Sequence, residues 1–148
     1  MAAARPNFHA FTIKHTGRVK RIQTAAHVST AFDPEAPPQP MPQMLETTAL
    51  WDTGATNSVV TSATAKDLGL VAVGRTQVFT AAGCSEQNTY LVNVILPSKV
   101  LVPGVLVSEC SQDAGDFGLI VGMDIMTRGD LSTTNVDDKT CMTFRIPS

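Results

Sequence analysis

Residues 49–58, with the sequence ALWDTGATNS, decide the fold. An apolar run enters the core and ends at a carboxylate, Asp52, followed by a small hydroxyl residue and a glycine. A carboxylate at the end of a buried strand is costly unless backbone donors or a partner group satisfy it. Gly54 lets the chain turn sharply and bring amide groups close to the Asp52 oxygens. Thr53 supplies a hydroxyl that can bond across an interface. The pattern indicates a strand leading into a tight loop that presents an acid.

Two further segments lie downstream of this acid. Thr76–Ala81 and Asn88–Pro97 predict two strands joined by a connection from Ala82 to Gln87, with Ala81-Ala82-Gly83 at its start. Ile120-Val121-Gly122 is a short apolar run ending at a glycine, and the following Met123–Arg128 predicts one or two helical turns. Together with Asp-Thr-Gly-Ala, and in this order, these parts resemble the signature of the retropepsins, the retroviral and retroviral-like aspartic proteases. The resemblance covers about residues 45–130.

The resemblance implies an all-β, retropepsin-like architecture: a closed β-barrel of the acid-protease fold with one or two short helices, active as a homodimer. Asp52 matches the catalytic aspartate of the family, Thr53 the residue whose hydroxyl locks two active-site loops together, and Gly54 the glycine whose amide supports the carboxylate. The remaining matched positions are Ala55 in the same motif, Ala82, Gly83 and Cys84 in a flap that closes over peptide, and Ile120, Val121 and Gly122 in an apolar loop beneath the active-site strand.

Asp-Thr-Gly occurs once in the 148 residues, whereas the chemistry of this family needs two carboxylates. The second one must therefore come from a second copy of the chain. Two carboxylates about 3 Å apart cannot both ionise, and in aspartic proteases they are known to share one proton. The resemblance implies that the ionised acid activates a water to hydrolyse a peptide bond, without a metal or an organic cofactor. Because the pair titrates as a unit, we expect a bell-shaped, acidic pH profile.

Short runs rich in Val, Ile, Thr and Phe recur along the chain, which is typical of an all-β protein. Phe8–His15 and Val19–Thr30, separated by three residues with a central glycine, predict a hairpin. Ser62–Leu68 predicts a short helix that Ser62 caps and Gly69 ends.

Residues 33–42 hold five of the nine prolines of the chain. Proline has no backbone N–H to give to a sheet, so this segment predicts an exposed, semi-rigid loop inserted in the domain. A passive connector, a gate for access and a binding segment for a partner all remain open for it.

Length and composition predict one soluble domain spanning residues 1–148, since 148 residues with 43% hydrophobic content can bury a core. No apolar run approaches the ~20 residues of a membrane helix, and no secretory leader precedes Arg5-Pro6. We therefore expect a cytoplasmic protein that does not bind membranes. With a net charge of -2 and one small basic cluster, Arg18 to Arg21, we expect no nucleic-acid partner.

Three cysteines and three histidines show no metal-ligand spacing, so neither a zinc site nor a disulfide framework is predicted. Cys84, in the flap segment, is either a free loop thiol or a redox handle on activity.

Trp51 stands where a smaller aliphatic residue is usual in the family, so it either changes the packing beneath Asp52 or shapes the cleft. Asp124 is interpreted as structural.

Alternative functions are weighed against the protease. Asp52 could be a structural turn residue, but the Ile120-Val121-Gly122 match favours the catalytic role. Phosphoryl transfer through an aspartyl phosphate lacks its second acid, since Gly54 stands there. Catalysis by Cys84 lacks a histidine partner. The competing non-enzyme is an inactive retropepsin-like dimerisation or peptide-binding module that pairs its strand edges with a partner.

Overall fold

The computed structural model describes residues 7–111 and 116–148. Residues 1–6, where no secretory leader is expected, lie outside that part of the chain. The described residues form ten β-strands and two short α-helices. The strands are β1 (His9–Lys14), β2 (Ile22–Thr30), β3 (Leu45–Trp51), β4 (Val59–Thr61), β5 (Gly74–Thr80), β6 (Gly83–Leu96), β7 (Val100–Cys110), β8 (Leu119–Val121), β9 (Asp130–Thr134) and β10 (Cys141–Ile146), and the helices are α1 (Ser62–Asp67) and α2 (Met123–Met126).

Six strands close into a barrel in the order β2-β3-β8-β4-β7-β6, and β6 pairs back with β2 to complete the ring. β5 lies outside the ring, paired with β6. Aliphatic side chains fill the interior, because β-branched residues pack well on the pleated surface of a sheet. The predicted all-β closed barrel with one or two short helices is therefore confirmed. Residues enclosed in this core include Val28, Val60, Val92, Val94, Val107 and Leu119.

A second sheet has the strand order β1-β10-β9. The predicted hairpin of the first two strands is wrong, since β1 pairs with β10 whereas β2 pairs with β3 and β6. The chain after β1 binds the start of β10 instead of turning back: His15 N donates to Thr140 O at 2.9 Å, and Thr140 N donates to Gly17 O at 3.1 Å. Strand propensity belongs to each segment by itself and does not select a partner from the other end of the chain.

Trp51 joins the second sheet to the barrel. Its ring lies edge-on to Phe144 and Phe11, with centroid separations of 5.3 and 6.1 Å, and the residue is only 7% exposed. Its Nε1 donates to Thr24 Oγ1 at 3.0 Å, so the polar atom of the indole is satisfied. Of the two roles open from the sequence, the structure supports packing beneath Asp52.

Helix α1 is present as predicted, but a different residue caps it. Thr61 Oγ1 accepts a hydrogen bond from Thr64 N at 3.2 Å. Thr61 has the extended backbone that a capping residue needs (φ −74, ψ 157), whereas Ser62 is already the first helical residue. Gly69 follows the helix with φ +60, the left-handed conformation expected there.

β5 and β6 form a long hairpin that turns at Ala81–Ala82. The sequence predicts a connection from Ala82 to Gln87, but β6 begins at Gly83 and pairs with β5 from its first residue. Gly83 has φ +126, which a residue with a side chain rarely adopts, so glycine allows the turn. We call residues 74–89, in which Gly74 pairs with Thr89, the flap hairpin.

The proline-rich segment 33–42 is an exposed loop, as predicted, with Pro42 alone half-buried. Within it, Asp33 Oδ1 accepts from Glu35 N at 2.9 Å, so the loop begins with a side-chain-stabilised turn. No helix among residues 7–111 and 116–148 has the length and apolar character needed to cross a lipid bilayer.

Candidate active site

The loop between β3 and β4, residues 52–58, crosses the end of β8, and we call it the active-site loop. β8 lies between β3 and β4, parallel to the first and antiparallel to the second. A connection between two strands that flank a third must pass over the end of that third strand. The crossing therefore holds Asp52, at the carboxyl end of β3, beside the carboxyl end of β8.

The backbone of Asp52 is hydrogen-bonded to β8, and the residue is exposed to solvent. Its N–H donates to Val121 O at 3.0 Å, which extends the pairing of β3 with β8 by one residue. Its Oδ1 accepts from Gly54 N at 2.9 Å. A Cβ added at Gly54 would lie 3.1 Å from this Oδ1, so glycine leaves room for the amide and the carboxylate to meet. The loop presents one oriented carboxylate at the surface of the chain.

Gly122 allows the active-site loop to approach β8 closely. A Cβ at this residue would lie 2.8 Å from Ala55 O and 2.8 Å from Asn57 C, and neither backbone atom can move aside cheaply. Met123 N, at the start of α2, donates to the same Ala55 oxygen at 2.8 Å. The glycine after the apolar pair is thus required by backbone contact with the loop that carries the acid.

A groove of ≈ 580 Å³ separates the active-site loop from the flap hairpin. Residues 54–57 of the loop form one wall and residues 76–79 of β5 form the other. Among the residues that the structure describes, no ionisable side chain lines the groove, so a charged group entering it would lose hydration without gaining a partner from them. The remaining lining residues are Val59, Thr89, Leu106, Val107 and Ser108.

Tyr90 and Glu109 form a polar contact at the base of the flap hairpin. The Tyr90 hydroxyl donates to Glu109 Oε2 at 2.5 Å. Burial raises the pKa of the Tyr90 hydroxyl, and the hydrogen bond to Glu109 raises it further. The same hydrogen bond is the main cause that lowers the pKa of the Glu109 carboxyl, and the Ser62 hydroxyl adds to it. The contact therefore favours a protonated tyrosine and an ionised glutamate.

The structure brings the predicted loop and β8 residues together and leaves the flap positions apart. Ile120 and Val121 lie in a strand rather than in a loop, because they pair in parallel with Leu50 and Trp51. The predicted flap positions Ala82, Gly83 and Cys84 lie at the turn end of the hairpin, outside the lining of the groove.

Two acids near the site make separate contacts. Asp52 Oδ1 is held by Gly54, whereas Asp124 Oδ1 accepts from Ser58 Oγ at 2.7 Å and from Ile125 N at 3.0 Å. Ser58 belongs to no motif that singles it out in the sequence. The sequence pattern at this position is a small hydroxyl residue directly before two valines, Val59 and Val60. Among residues 7–111 and 116–148, no three His, Cys, Asp or Glu side chains converge as a metal site requires.

No protein-family model matches the sequence, and no curated protein matches it significantly. Solved structures do resemble the chain. A retropepsin-like aspartic protease from Rickettsia conorii superposes with a TM-score of 0.59 at 14% identity, over 97% of this chain and 98% of that one. The chain has the retropepsin-like fold.

Two further structures match over shorter parts of this retropepsin-like chain. The protease of simian foamy virus (mac) has a TM-score of 0.45 at 16% identity, over 70% of this chain and 89% of that one. The retroviral protease-like domain of Ddi1 from Leishmania major has a TM-score of 0.48 at 20% identity, over 78% and 82%. At 14% identity, the likeness to the Rickettsia conorii protease concerns the fold and not the chemistry of this chain.

Proposed function

We propose that the protein is an aspartic endopeptidase that works as a homodimer, with Asp52 of each copy supplying one catalytic carboxylate. The observation that carries this proposal is the geometry of Asp52, an exposed acid at the end of a buried strand, oriented by the Gly54 amide at 2.9 Å. The retropepsin-like fold supports the same assignment. Gly54, whose amide binds the acid, lines a groove between two walls, where an extended peptide segment can lie.

A second copy is part of the proposal because one chain brings one Asp-Thr-Gly motif. Thr53, exposed next to Asp52, is the residue proposed to bond across the two-fold axis. With both copies in place, two carboxylates would share one proton, since two ionised acids in contact repel each other strongly.

The proposed reaction is hydrolysis of a peptide bond by an activated water. The ionised Asp52 takes a proton from the water, and the water oxygen bonds to the carbonyl carbon. The protonated Asp52 of the other copy stabilises the oxygen that becomes negative. The C–N bond then breaks, and the nitrogen takes a proton from the acid pair and leaves as an amine.

The replacement Asp52→Asn tests the role of the acid. The amide nearly preserves the shape but cannot accept the proton of water, so cleavage of a casein-type substrate or peptide library should fall by about 10²–10⁴-fold or more. Asp67→Asn, at an exposed acid in α1, is the matched control and should remain active. An Asp52→Asn variant as active as the wild type would remove Asp52 from the mechanism.

Sedimentation of the same two proteins tests the assembly. Both should be dimers, because the amide retains the contacts of the loop. A fully active monomer would contradict the shared-acid mechanism. A dimer without activity between about pH 3 and pH 8, a range that brackets carboxylate titration, would favour the peptide-binding module instead.

A further inference from the structure

The buried hydroxyl of Ser58, at the end of the active-site loop, is hydrogen-bonded to the half-buried carboxylate of Asp124 in α2. We propose that Ser58 and Asp124 are positioning residues of this site: together they fix the loop so that Asp52 meets its counterpart in the second copy. We call these two side chains the loop latch. The inference rests on the proposed function for its catalytic consequence, and on the hydrogen bonds of the chain for its structural part.

The latch is a chain of three hydrogen bonds. Ser58 Oγ donates to Asp124 Oδ1 at 2.7 Å and accepts from Gly122 N at 3.0 Å. The same Oδ1 accepts from Ile125 N at 3.0 Å. Ser58 has 0% exposure, so no bulk water is available to replace a lost partner. A buried donor left without an acceptor is unfavourable, which makes this arrangement strongly preferred over a displaced one.

The backbone reinforces the latch along the loop. Asp124 N donates to Thr56 O at 3.2 Å, and Met123 N donates to Ala55 O at 2.8 Å. Gly122 lacks the Cβ that would push the loop away. Successive residues at the start of α2 thus hold successive parts of the loop that begins at Asp52.

The consequence for catalysis follows from symmetry. A misplacement of about 1 Å far from the reacting atoms can reduce a rate by 10²-fold. In a homodimer any displacement of the loop occurs in both copies. The distance between the two Asp52 carboxylates therefore changes by the sum of two displacements. A latch that fixes the loop is therefore expected to act on kcat more than on KM.

The latch uses the oxygen of Asp124 as an acceptor, since both bonds end on Oδ1. An asparagine offers an equivalent Oδ1 in the same place, whereas an alanine offers none. Asp124→Asn should consequently keep the loop in position, and Asp124→Ala should release it. This pair separates the role of the acceptor from the role of the charge.

Thr140→Val provides a matched control for Ser58→Ala. Thr140 is also buried, with 1% exposure, and its Oγ1 donates to Asn135 Oδ1 at 2.7 Å and accepts from Val19 N at 3.0 Å. Both substitutions therefore remove a buried hydroxyl with the same bonding pattern. Thr140 lies directly before β10, where its backbone binds His15 and Gly17 instead of the active-site loop.

The experiment measures kcat and KM on a peptide substrate for Ser58→Ala, Asp124→Ala, Asp124→Asn and Thr140→Val, well below their unfolding temperatures. We expect kcat to fall by about 10- to 100-fold in the two alanine variants, with KM nearly unchanged. Asp124→Asn and Thr140→Val should stay within about threefold of wild type. Ser58→Ala activity equal to that of Thr140→Val, or an equal loss in Asp124→Asn and Asp124→Ala, would overturn the proposal.

Amide hydrogen exchange tests the latch independently of enzymatic activity. The N–H groups of Met123 and Asp124 should exchange faster in Ser58→Ala and Asp124→Ala, and at the wild-type rate in Thr140→Val. Unchanged exchange would overturn the latch even in an active enzyme. An inactive wild type with the expected exchange would remove the proposed protease function and leave the structural latch standing.

Discussion

The active-site loop and the flap hairpin face each other across one groove, but they are held in opposite ways. The loop is tied to β8 and α2 by backbone bonds from Asp52, Met123 and Asp124, and it ends at the fully buried Ser58. Most residues of the flap hairpin are exposed, and Phe79 near its turn is 78% exposed. One wall is hydrogen-bonded to the core, and the other projects from it.

The difference fits two different tasks in the proposed protease. A group that takes part in chemistry has to be held by neighbours whose own positions are locked. A wall that admits and then covers an extended peptide has to move. We therefore expect changes in the loop to alter kcat and stability together, and changes in the hairpin to alter substrate binding while stability stays constant.

Among the changes that test this difference between the walls, Gly122→Ala in the anchored wall should have the largest effect. The new methyl group would lie 2.8 Å from backbone atoms of Ala55 and Asn57, so the loop must shift. We expect a loss of about 1–3 kcal/mol in the free energy of unfolding and a fall in kcat of about 10²-fold, measured by urea denaturation and peptide cleavage. Gly17→Ala, where a Cβ would meet nothing within 4 Å, is the control and should be near neutral. A stable, active Gly122→Ala variant would contradict the anchored loop.

The next effect is expected for Phe79→Ala, in the exposed wall. Its ring lines the groove and is 78% exposed without substrate, so its burial would occur when peptide binds. We expect kcat/KM to fall about tenfold, which matches partial burial of one aromatic side chain. The free energy of unfolding should change by less than about 0.5 kcal/mol. Phe8→Ala, at another exposed phenylalanine that lies outside the groove lining, should leave kcat/KM unchanged.

A smaller, pH-dependent effect is expected at Glu109, where the hairpin joins the barrel. The Tyr90 hydroxyl lowers the pKa of this carboxyl from 4.5, so the folded state binds its proton less tightly than the unfolded state. The contact therefore stabilises the fold above about pH 4.5, and the stabilisation is lost as pH falls through the lowered pKa. Relative to Glu109→Gln, the wild type should be more stable by about 1 kcal/mol at pH 7.

This advantage of the wild type should shrink as the pH falls from about 7 to about 3, through the ordinary range of a glutamate. Urea denaturation of both proteins across this range measures it. Tyr90→Phe, which removes the main donor, should reduce the pH dependence of the difference. An advantage that grows as pH falls would contradict the sign of the shift.

The smallest effect is expected for Cys84→Ser, near the turn of the hairpin. Cys84 is exposed and pairs with Phe79 across the two strands, outside the groove lining. Activity should stay within about twofold of wild type and unfolding within about 0.5 kcal/mol. Alkylation of the wild type should likewise leave cleavage unchanged. A large loss of activity in both experiments would support the alternative in which the Cys84 thiol regulates activity.

Much of the barrel could be predicted because its signals are local. Runs of β-branched residues indicate strands wherever they pair, and a glycine after a helix-prone run indicates where α1 ends. Helix α1, predicted over Ser62–Leu68, appears as Ser62–Asp67. The loop predicted from Ala82 to Gln87 became strand, since pairing with β5 overrode the weak strand propensity of Gly, Ser and Glu.

The sequence by itself determined the solitary acid and the glycine that lets an amide reach it. Those features follow from residue types at neighbouring positions. Tertiary structure alone decided that β1 binds β10, that Trp51 packs against Phe11 and Phe144, and that Ser58 meets Asp124. Each of these contacts joins residues far apart in the chain, and their pairing depends on which surfaces remain when the barrel closes. A local pattern holds no information about that choice.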